Sequence, residues 1–425
     1  MKSVIVVIAG CLMLSMWGCG ETETEPIPDE TGGGDATAGI QEPEERDGCP
    51  VPPALAGEEI ILLKGPYLQA PEPEGITVAF ETHLEVDGAV IVWGEDESCP
   101  VAVIQTAPTK MSTFYEPLAI QMDDTPGWQH AAHVEGLVPG QRYTYQVRTG
   151  ATDSNVYSFK ASPPRGEPFT VTLSGDNRTH DADHQRVVDA MLLEGPDLAV
   201  NTGDMMSASG MLSDWEGFFA IESELVSQTP LMPCFGNHEA VLGDAYYAGY
   251  FHVPGAKNES KKDYAYPYGD TFWITLDSNL PLEDDEVVWL EEQLQRAAAY
   301  PFLFVTFHHP FFTFSKHVPD TQERDRLHPL FVEYGVSAVW SGHNHCYERF
   351  MVDGIPYVVT GGGGSSLYGT DSHVVPGEEH LRVKARSTHH YVVLDVSPEG
   401  TQAQVMDIDA EEQLDAFLIA PRNLD

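Results

Sequence analysis

The sequence predicts an all-β domain over residues 57–164, followed by an α/β domain over residues 165–425. In the first part, apolar and polar residues alternate over 76–80 and 143–147. A period of two is typical of a half-buried strand. In the second part, short apolar runs alternate with segments of helical spacing, and this is the pattern of layered α/β folds.

The β-rich part also contains turn signals between its predicted strands. Ile76, Val78 and Phe80 alternate, and Gly136 to Gly140 read as a turn. Tyr143 follows that turn closely, in a position similar to the tyrosine corner of sandwich folds. No set of catalytic residues occurs in this region, so we expect it to be a structural domain.

The α/β part contains a series of apolar, β-prone runs and three segments with helical spacing. The predicted strands are 169–173, 198–202, 231–235, 302–307 and 336–340, and the predicted helices are 184–194, 213–227 and 283–299. The glycine run 361–364 is predicted to be a loop after a strand, because no Lys-Ser/Thr pair or helix start follows it.

Each of the five apolar runs is followed by a potential metal ligand. The six candidates are Asp176, Asp204, Asn237, His308, His343 and His345. Open α/β sheets place their active sites at the carboxyl ends of strands. Two Asp, one Asn and three His suit a pair of ions, and imidazole with oxygen ligands matches Fe, Mn or Zn.

This order of blocks resembles the calcineurin-type metallophosphoesterases, and more narrowly the purple acid phosphatase-like branch. The matching blocks begin at Gly175-Asp176, Gly203-Asp204, Gly236-Asn237-His238-Glu239, Val305-Thr306-Phe307-His308 and Gly342-His343-Asn344-His345. The resemblance extends from about residue 57 to the C-terminus. It implies a four-layer α/β/β/α sandwich preceded by a fibronectin III-like sandwich domain.

The resemblance also implies a role for each candidate residue. A first metal ion would be held by Asp176, Asp204 and His345, and a second by Asp204, Asn237, His308 and His343, with Asp204 as the bridge. His238 and His317 match the histidines that bind phosphate or protonate the leaving group. Arg178 could contact the phosphate with both arms of its guanidinium.

Two departures from the family pattern affect the first metal position. Ser207 stands where the branch has a Tyr that binds ferric iron, and Arg178 stands where related phosphoesterases have a His. The first position is therefore one protein ligand short, and water, Ser207, His180 or His184 could complete it. Without the Tyr we expect divalent ions and a pH optimum near or above neutrality, unless Tyr246 or Tyr247 supplies a phenolate.

The N-terminal segments predict export. Residues 1–18 have Lys2 followed by an apolar run, as in a signal peptide, and Cys19 follows Gly18 as in a bacterial lipoprotein. Residues 19–56 are predicted to be an acidic, low-complexity tether that does not fold. We expect a periplasmic, outer-membrane lipoprotein or secreted location, with membrane contact through the lipid anchor.

Charge and cysteine content restrict the partners and the covalent links. The net charge of −44 argues against nucleic acid as the main partner, because that binding depends on Lys and Arg. Export permits disulfides. Cys49 and Cys99 are the first candidate pair, whereas Cys234 and Cys346 either pair or are buried thiols.

The expected function is a phosphomonoesterase, similar to acid phosphatases, that uses two metal ions (Fe, Mn or Zn) to hydrolyse small phosphate esters. A metal-bound hydroxide would be the nucleophile. One alternative is a phosphodiesterase that acts on lipid or nucleotide diesters. Another is a binding protein without catalytic activity, whose first metal position is incomplete. The sequence does not predict the oligomeric state.

Overall fold

A computed structural model describes residues 59–95, 99–111 and 126–424, together with the backbone of 114–115 and 120–121. The predicted signal segment, Cys19 and all of the predicted tether lie outside the described residues. Cys49 lies outside them as well. Among the described residues, no helix is long and apolar enough to span a bilayer.

The N-terminal region consists of β-strands only. Its strands are β1 (Leu62–Glu72), β2 (Gly75–Thr82), β3 (Gly88–Trp93), β4 (Pro100–Thr106), β5 (Thr109–Lys110), β6 (Phe114–Tyr115), β7 (Ile120–Gln121), β8 (Trp128–Glu135), β9 (Arg142–Thr149), β10 (Thr152–Asp153) and β11 (Tyr157–Lys160). One antiparallel sheet has the order β1-β2-β8-β5, and a second has β10-β9-β3-β4 with β11 paired to β9. The predicted all-β domain is confirmed, whereas its closer likeness to fibronectin III stays a prediction.

The alternating residues of this domain form its core, as the sequence predicts. Ile76, Val78 and Phe80 are buried together with Tyr145 and Val147. The Tyr143 hydroxyl accepts a hydrogen bond of 2.8 Å from the backbone N–H of Val138, which ties the strand to the preceding turn.

The C-terminal region alternates strands and helices. Its strands are β12 (Phe169–Ser174), β13 (Leu198–Asn201), β14 (Leu231–Pro233), β15 (Tyr264–Tyr268), β16 (Thr271–Leu276), β17 (Phe302–Phe307), β18 (Ala338–Ser341), β19 (Tyr347–Val352), β20 (Ile355–Thr360), β21 (Arg382–Arg386), β22 (His390–Ser397), β23 (Gly400–Asp407) and β24 (Glu412–Ile419). Its α-helices are α1 (Asp181–Leu193), α2 (Leu212–Val226), α3 (Ala245–Tyr250), α4 (Asp284–Arg296) and α5 (Thr321–Glu333). Short 3₁₀ turns occur at Ala297–Ala299 and Glu379–Leu381.

Two sheets form the centre of this region. One has the order β14-β13-β12-β22-β23-β24, and the other has β15-β16-β17-β18-β20-β19-β21. Strands β12, β13 and β14 are parallel neighbours, as are β16, β17 and β18. Parallel neighbours bring their carboxyl ends to one edge, so each sheet presents several strand ends side by side.

Three apolar cores separate four layers. One core packs α1, α2 and α3 against the first sheet, a second lies between the two sheets, and a third packs α4 and α5 against the second sheet. The predicted α/β/β/α order is therefore confirmed. The helices predicted at 184–194, 213–227 and 283–299 are α1, α2 and α4, with boundaries shifted by a few residues.

The two regions form one compact unit. The Tyr67 hydroxyl donates to the carbonyl of Tyr250 at 3.0 Å, and the Tyr145 hydroxyl donates to the carbonyl of Ser227 at 2.8 Å. Tyr67 is also part of the apolar core around α2 and α3. The β-domain therefore packs against α2 and α3 near their C-terminal ends.

The structure decides whether Cys234 and Cys346 form a disulfide or are buried thiols. Both are free and buried, so the thiol alternative is correct and the pairing alternative is wrong. Cys99 is disulfide-bonded. Its predicted partner, Cys49, lies outside the described residues.

Candidate metal centre

The structure brings the six predicted ligands together from both sheets. Asp176, Asp204 and Asn237 follow strands β12, β13 and β14, whereas His308 and the His343–His345 block follow β17 and β18. The side chains of Asp204, His308 and His343 each offer a ligand atom, and these atoms all lie within 4.8 Å of one another.

Three of the predicted ligand residues have left-handed backbone conformations. The φ angle is 58° at Asp176, 58° at Asp204 and 67° at His343. Non-glycine residues seldom adopt positive φ, and Asp and His are among those that do so more readily. Such conformations concentrate at functional sites, where the surrounding structure enforces them.

The loop after β20, in the second sheet, approaches the loop after β12, in the first sheet, too closely for side chains at two glycines. A Cβ at Gly361 would lie 2.6 Å from Oδ2 of Asp176, and one at Gly363 would lie 2.5 Å from the carbonyl of Gly175. The glycine run 361–364 is a loop after β20, as predicted. Its lack of side chains lets it pack directly against the ligand loops.

The second metal position has the expected ligand chemistry. His308 Nδ1 donates to the carbonyl of Thr202 at 2.8 Å, and its Nε2 faces Oδ1 of Asp204 at 3.2 Å. His308 Nε2 and Asn237 Oδ1 are buried and have no hydrogen-bond partner among the described residues. Unsatisfied buried polar atoms are rare in folded proteins. Together with Asp204 and His343 they fit a metal ion with nitrogen and oxygen ligands.

The first metal position is different because it contains an arginine. Asp176 Oδ1 is buried without a hydrogen-bond partner and lies 3.4 Å from Nε2 of His345. His345 Nδ1 donates to the carbonyl of Ser366 at 2.7 Å, so Nε2 faces the centre. Arg178 lies 3.3 Å from that Nε2 and also 3.3 Å from Oδ2 of Asp204.

Electrostatics couple Asp204 to His308. Burial alone would lower the pKa of His308, but the charge of Asp204 raises this pKa to about 10. Burial raises the pKa of Asp204, and the opposing effects of His308 and His238 hold it below its usual range. A metal ion on His308 would have to displace the proton that this raised pKa keeps on the ring, so metal affinity should decrease as the pH decreases.

His238 lies beside the shared carboxylate. Its backbone N–H donates to Oδ1 of Asp204 at 2.9 Å, and its ring Nδ1 donates to the carbonyl of Ser207 at 2.5 Å. Ring Nε2 lies 3.8 Å from Oδ2 of Asp204 and is the nitrogen left for a substrate.

His317 lies on the other side of the centre. Its ring is 4.3 Å from the ring of His343, centroid to centroid. Its backbone N–H donates to Oδ1 of Asn344 at 2.9 Å, and its carbonyl accepts from Nδ2 of the same Asn at 3.0 Å. Burial and then the charge of Lys316 lower the pKa of His317.

Of the residues that could have completed the first position, the two histidines are engaged elsewhere or exposed. His184 Nε2 pairs with Glu222 of α2 at 2.8 Å, and His180 is half exposed, with its Nε2 3.5 Å from Oγ of Ser366. The carbonyl of Ser207 binds His238 and its backbone N–H binds Asp214. The Tyr247 hydroxyl donates to the carbonyl of Pro233.

The structure adds three residues that the sequence did not single out. The ring of Tyr368 stacks on His345 at 3.9 Å, and Lys316 Nζ lies 4.0 Å from the centre of the same Tyr ring. Glu239 is fully buried and accepts backbone N–H groups from both Asp204 and Gly236. The Gly-Asn-His-Glu block signals Glu239, whereas no local pattern signals Tyr368, which lies 23 residues after His345.

A cavity of about 510 Å³ lies away from these residues. Its lining includes Phe169, at the start of β12, and the carboxylates of Asp197, Asp395 and Glu399. It is therefore at the opposite end of the strands from the ligands, and its negative charge would repel phosphate.

Family models match most of the described chain. Residues 169–347 match the calcineurin-like phosphoesterase family, and residues 65–161 match the purple acid phosphatase N-terminal domain. The chain therefore contains a calcineurin-like metallophosphoesterase domain, preceded by a purple acid phosphatase N-terminal domain. The predicted resemblance is confirmed.

Relatives of this chain include plant proteins that are named purple acid phosphatases and others that are named probable inactive purple acid phosphatases. Purple acid phosphatase 5 of Arabidopsis thaliana is 23% identical over 73% of this chain and 76% of its own length. "Probable inactive purple acid phosphatase 9" of the same plant is 25% identical over 53% of this chain and 43% of its own length. This chain thus spans less than half of that relative's length.

Solved structures show the same fold. The purple acid phosphatase PPD1 of yellow lupin (Lupinus luteus) has a TM-score of 0.73 and 21% identity, and the match covers 84% of this chain and 74% of that one. A structure of PhoD has a TM-score of 0.59 and 13% identity over 83% of this chain and 88% of that one.

Proposed function

We propose that this protein is a metal-dependent phosphoric ester hydrolase that releases phosphate from small monoesters outside the cytoplasm. The observation that carries the proposal is the convergence of Asp204, His308 and His343 within 4.8 Å. Basic side chains from three other loops surround this group. The extracytoplasmic location follows from the predicted signal segment.

Asp204, Asn237, His308 and His343 would hold an ion at the second position, and Mn, Zn or Fe all suit this ligand set. A bound divalent ion supplies Lewis acidity and lowers the pKa of water toward about 7. The family pattern assigns a further ion, at the first position, to Asp176, Asp204 and His345.

The chain's own side chains would bind and protonate the ester. His238 Nε2 can donate to a phosphoryl oxygen because its other ring nitrogen is fixed on the Ser207 carbonyl. Arg178 presents further N–H donors beside Asp204. His317 would donate a proton to the leaving oxygen, as its position next to His343 suggests.

Charge favours a monoester over a diester. Arg178, Lys316 and the two histidines surround the predicted ligands, and a phosphate monoester carries about two negative charges at neutral pH, compared with one for a diester. A doubly charged substrate therefore gains more from this environment.

The proposal is tested with 4-nitrophenyl phosphate and bis(4-nitrophenyl) phosphate, each assayed with Mn²⁺, Zn²⁺ and Fe²⁺. We expect metal-dependent turnover of the monoester that is lost in His308→Ala. Preferential turnover of the diester would instead support the phosphodiesterase alternative. No turnover with any metal, although metal and inorganic phosphate bind, would support a non-catalytic binding protein.

A further inference from the structure

Arg178 contacts two of the side-chain atoms that, by the family pattern, would bind the first metal ion. Its Nε lies 3.3 Å from Oδ2 of Asp204, and its Nη2 lies 3.3 Å from Nε2 of His345. The guanidinium therefore spans the gap between these two ligand atoms.

A guanidinium cannot serve as a metal ligand. It has N–H donors only and stays protonated in proteins, so it offers no lone pair to an ion. A positive ion between Asp204 and His345 would also lie next to the arginine's positive charge, and like charges this close repel strongly where water is largely excluded. An ion and this arginine thus compete for the same two atoms.

The position of Arg178 is fixed by the surrounding structure. Its side chain is 15% exposed, and its carbonyl accepts a hydrogen bond of 2.8 Å from the Ser365 hydroxyl. The preceding Asn177 accepts from Asn201 Nδ2 at 2.6 Å and donates to the carbonyl of Gly363. These contacts tie the Arg178 segment to β13 and to the glycine loop.

The first position is also deficient in ligands. Asp176, Asp204 and His345 are the expected set, but among the described residues the convergent group of potential ligand atoms is Asp204, His308 and His343. Only Asp176 Oδ1, which is buried and unpartnered, favours an ion there. The second position has a full set, and Arg178 contacts one of its members, Asp204, through Oδ2 rather than through the Oδ1 that faces His308.

We propose that the guanidinium of Arg178 takes the place of the first metal ion, so that the protein holds one ion, at the second position. Arg178 then supplies the second positive charge of the centre. Asp176 and His345 become positioning residues: Asp176 Oδ2 accepts the backbone N–H of His343 at 2.8 Å, and His345 accepts from Arg178. The catalytic meaning of this arrangement rests on the proposed function, but the number of ions does not.

Metal content of the full-length protein tests the proposal. The protein is depleted of metal, loaded with excess Mn²⁺, dialysed, and analysed for metal per chain. We expect about one equivalent in the wild type, near zero in His308→Ala, and about one in His345→Ala, because the side chain of His345 would not contact the ion. Arg178→His restores the histidine of related phosphoesterases, and we expect it to hold about two equivalents.

Electron paramagnetic resonance of the Mn²⁺-loaded proteins gives an independent measure. An isolated ion in the wild type and exchange-coupled ions in Arg178→His would support the proposal. About two tightly bound ions in the wild type, or loss of metal in His345→Ala, would overturn it. If Arg178→His does not fold, the number of metal ions per chain in the wild type and in His345→Ala still distinguishes one ion from two. Failure of the proposed function would appear as absent turnover at every metal load and would leave these counts unchanged.

Discussion

The Glu239 carboxylate accepts a hydrogen bond of 3.0 Å from the backbone N–H of Asp204. The same Oε2 atom accepts from the N–H of Gly236 at 2.8 Å, and Oε1 accepts from the N–H of Met205 at 2.8 Å. One buried carboxylate therefore fixes the loops after β13 and β14 relative to each other. The left-handed backbone of Asp204 is maintained by these bonds.

We expect Glu239→Gln to weaken both the fold and metal binding. The amide NH₂ would face backbone donors, and a buried donor without an acceptor costs about 1–3 kcal/mol. Loss of such a supporting contact typically reduces metal affinity by about 10–100-fold. Chemical denaturation and Mn²⁺ titration measure the two effects.

Glu222→Gln is the matched control for this variant. Glu222 is also a buried carboxylate, but it pairs with His184 between α1 and α2 and does not contact the ligand loops. We expect it to lose stability without losing metal affinity. Equal losses of metal affinity in the two variants would contradict the role of Glu239.

We expect His317→Ala to retain metal but to slow turnover of substrates with poor leaving groups. General acid catalysis contributes about 10²–10⁴-fold, and a good leaving group needs less of it. An alkyl phosphate should therefore lose more than 4-nitrophenyl phosphate. His180→Ala, at a half-exposed position, should leave both rates unchanged. Equal losses on the two substrates in His317→Ala would favour a role in phosphate binding alone.

We expect the β-domain to lose stability in acid because of His130. This ring is held between the hydroxyls of Thr82 and Thr106 at 3.1 and 3.0 Å, and burial lowers its pKa from 6.5 to about 4. Between these two pH values the unfolded chain binds a proton that the folded chain does not. Stability therefore decreases as the pH falls from about 6.5 to about 4.

The full effect of this shift is about 3 kcal/mol, since one pKa unit corresponds to about 1.4 kcal/mol. Urea unfolding at several pH values gives the free energy of unfolding as a function of pH. Between about pH 4 and 6.5 this free energy should change less with pH in His130→Gln than in the wild type. An unchanged slope would mean that other groups cause the acid sensitivity.

We expect the iron-loaded protein to lack the purple band of its relatives and to work best near or above neutrality. The family's colour arises from charge transfer between a Tyr phenolate and ferric iron, and Ser207 has no π-system for this. Tyr247 does not replace it, because its hydroxyl binds Pro233 and burial raises its pKa well above the usual value. A visible spectrum and a pH–rate profile test this. A strong absorption band with an acid optimum would contradict it, and the same spectrum of Tyr368→Phe would show whether Tyr368 is the source.

The strands and the order of the ligands could be predicted from the sequence. Five apolar runs became β12, β13, β14, β17 and β18, because buried parallel strands need continuous apolar residues. Their carboxyl ends then had to lie at one edge of each sheet. Helix α5 was not predicted, since its Pro329 and many charges hide the burial of Leu327 and Phe331.

The tertiary structure alone decided what surrounds the ligands. Nothing in the local sequence indicates that Arg178 reaches both Asp204 and His345, that Tyr368 stacks on His345, or that Glu222 engages His184. Local patterns set which face of an element is buried, because burial follows the period of the backbone. Contacts between residues far apart in the chain depend on how whole layers pack and on which polar groups find partners there. That packing places an arginine at the first metal position.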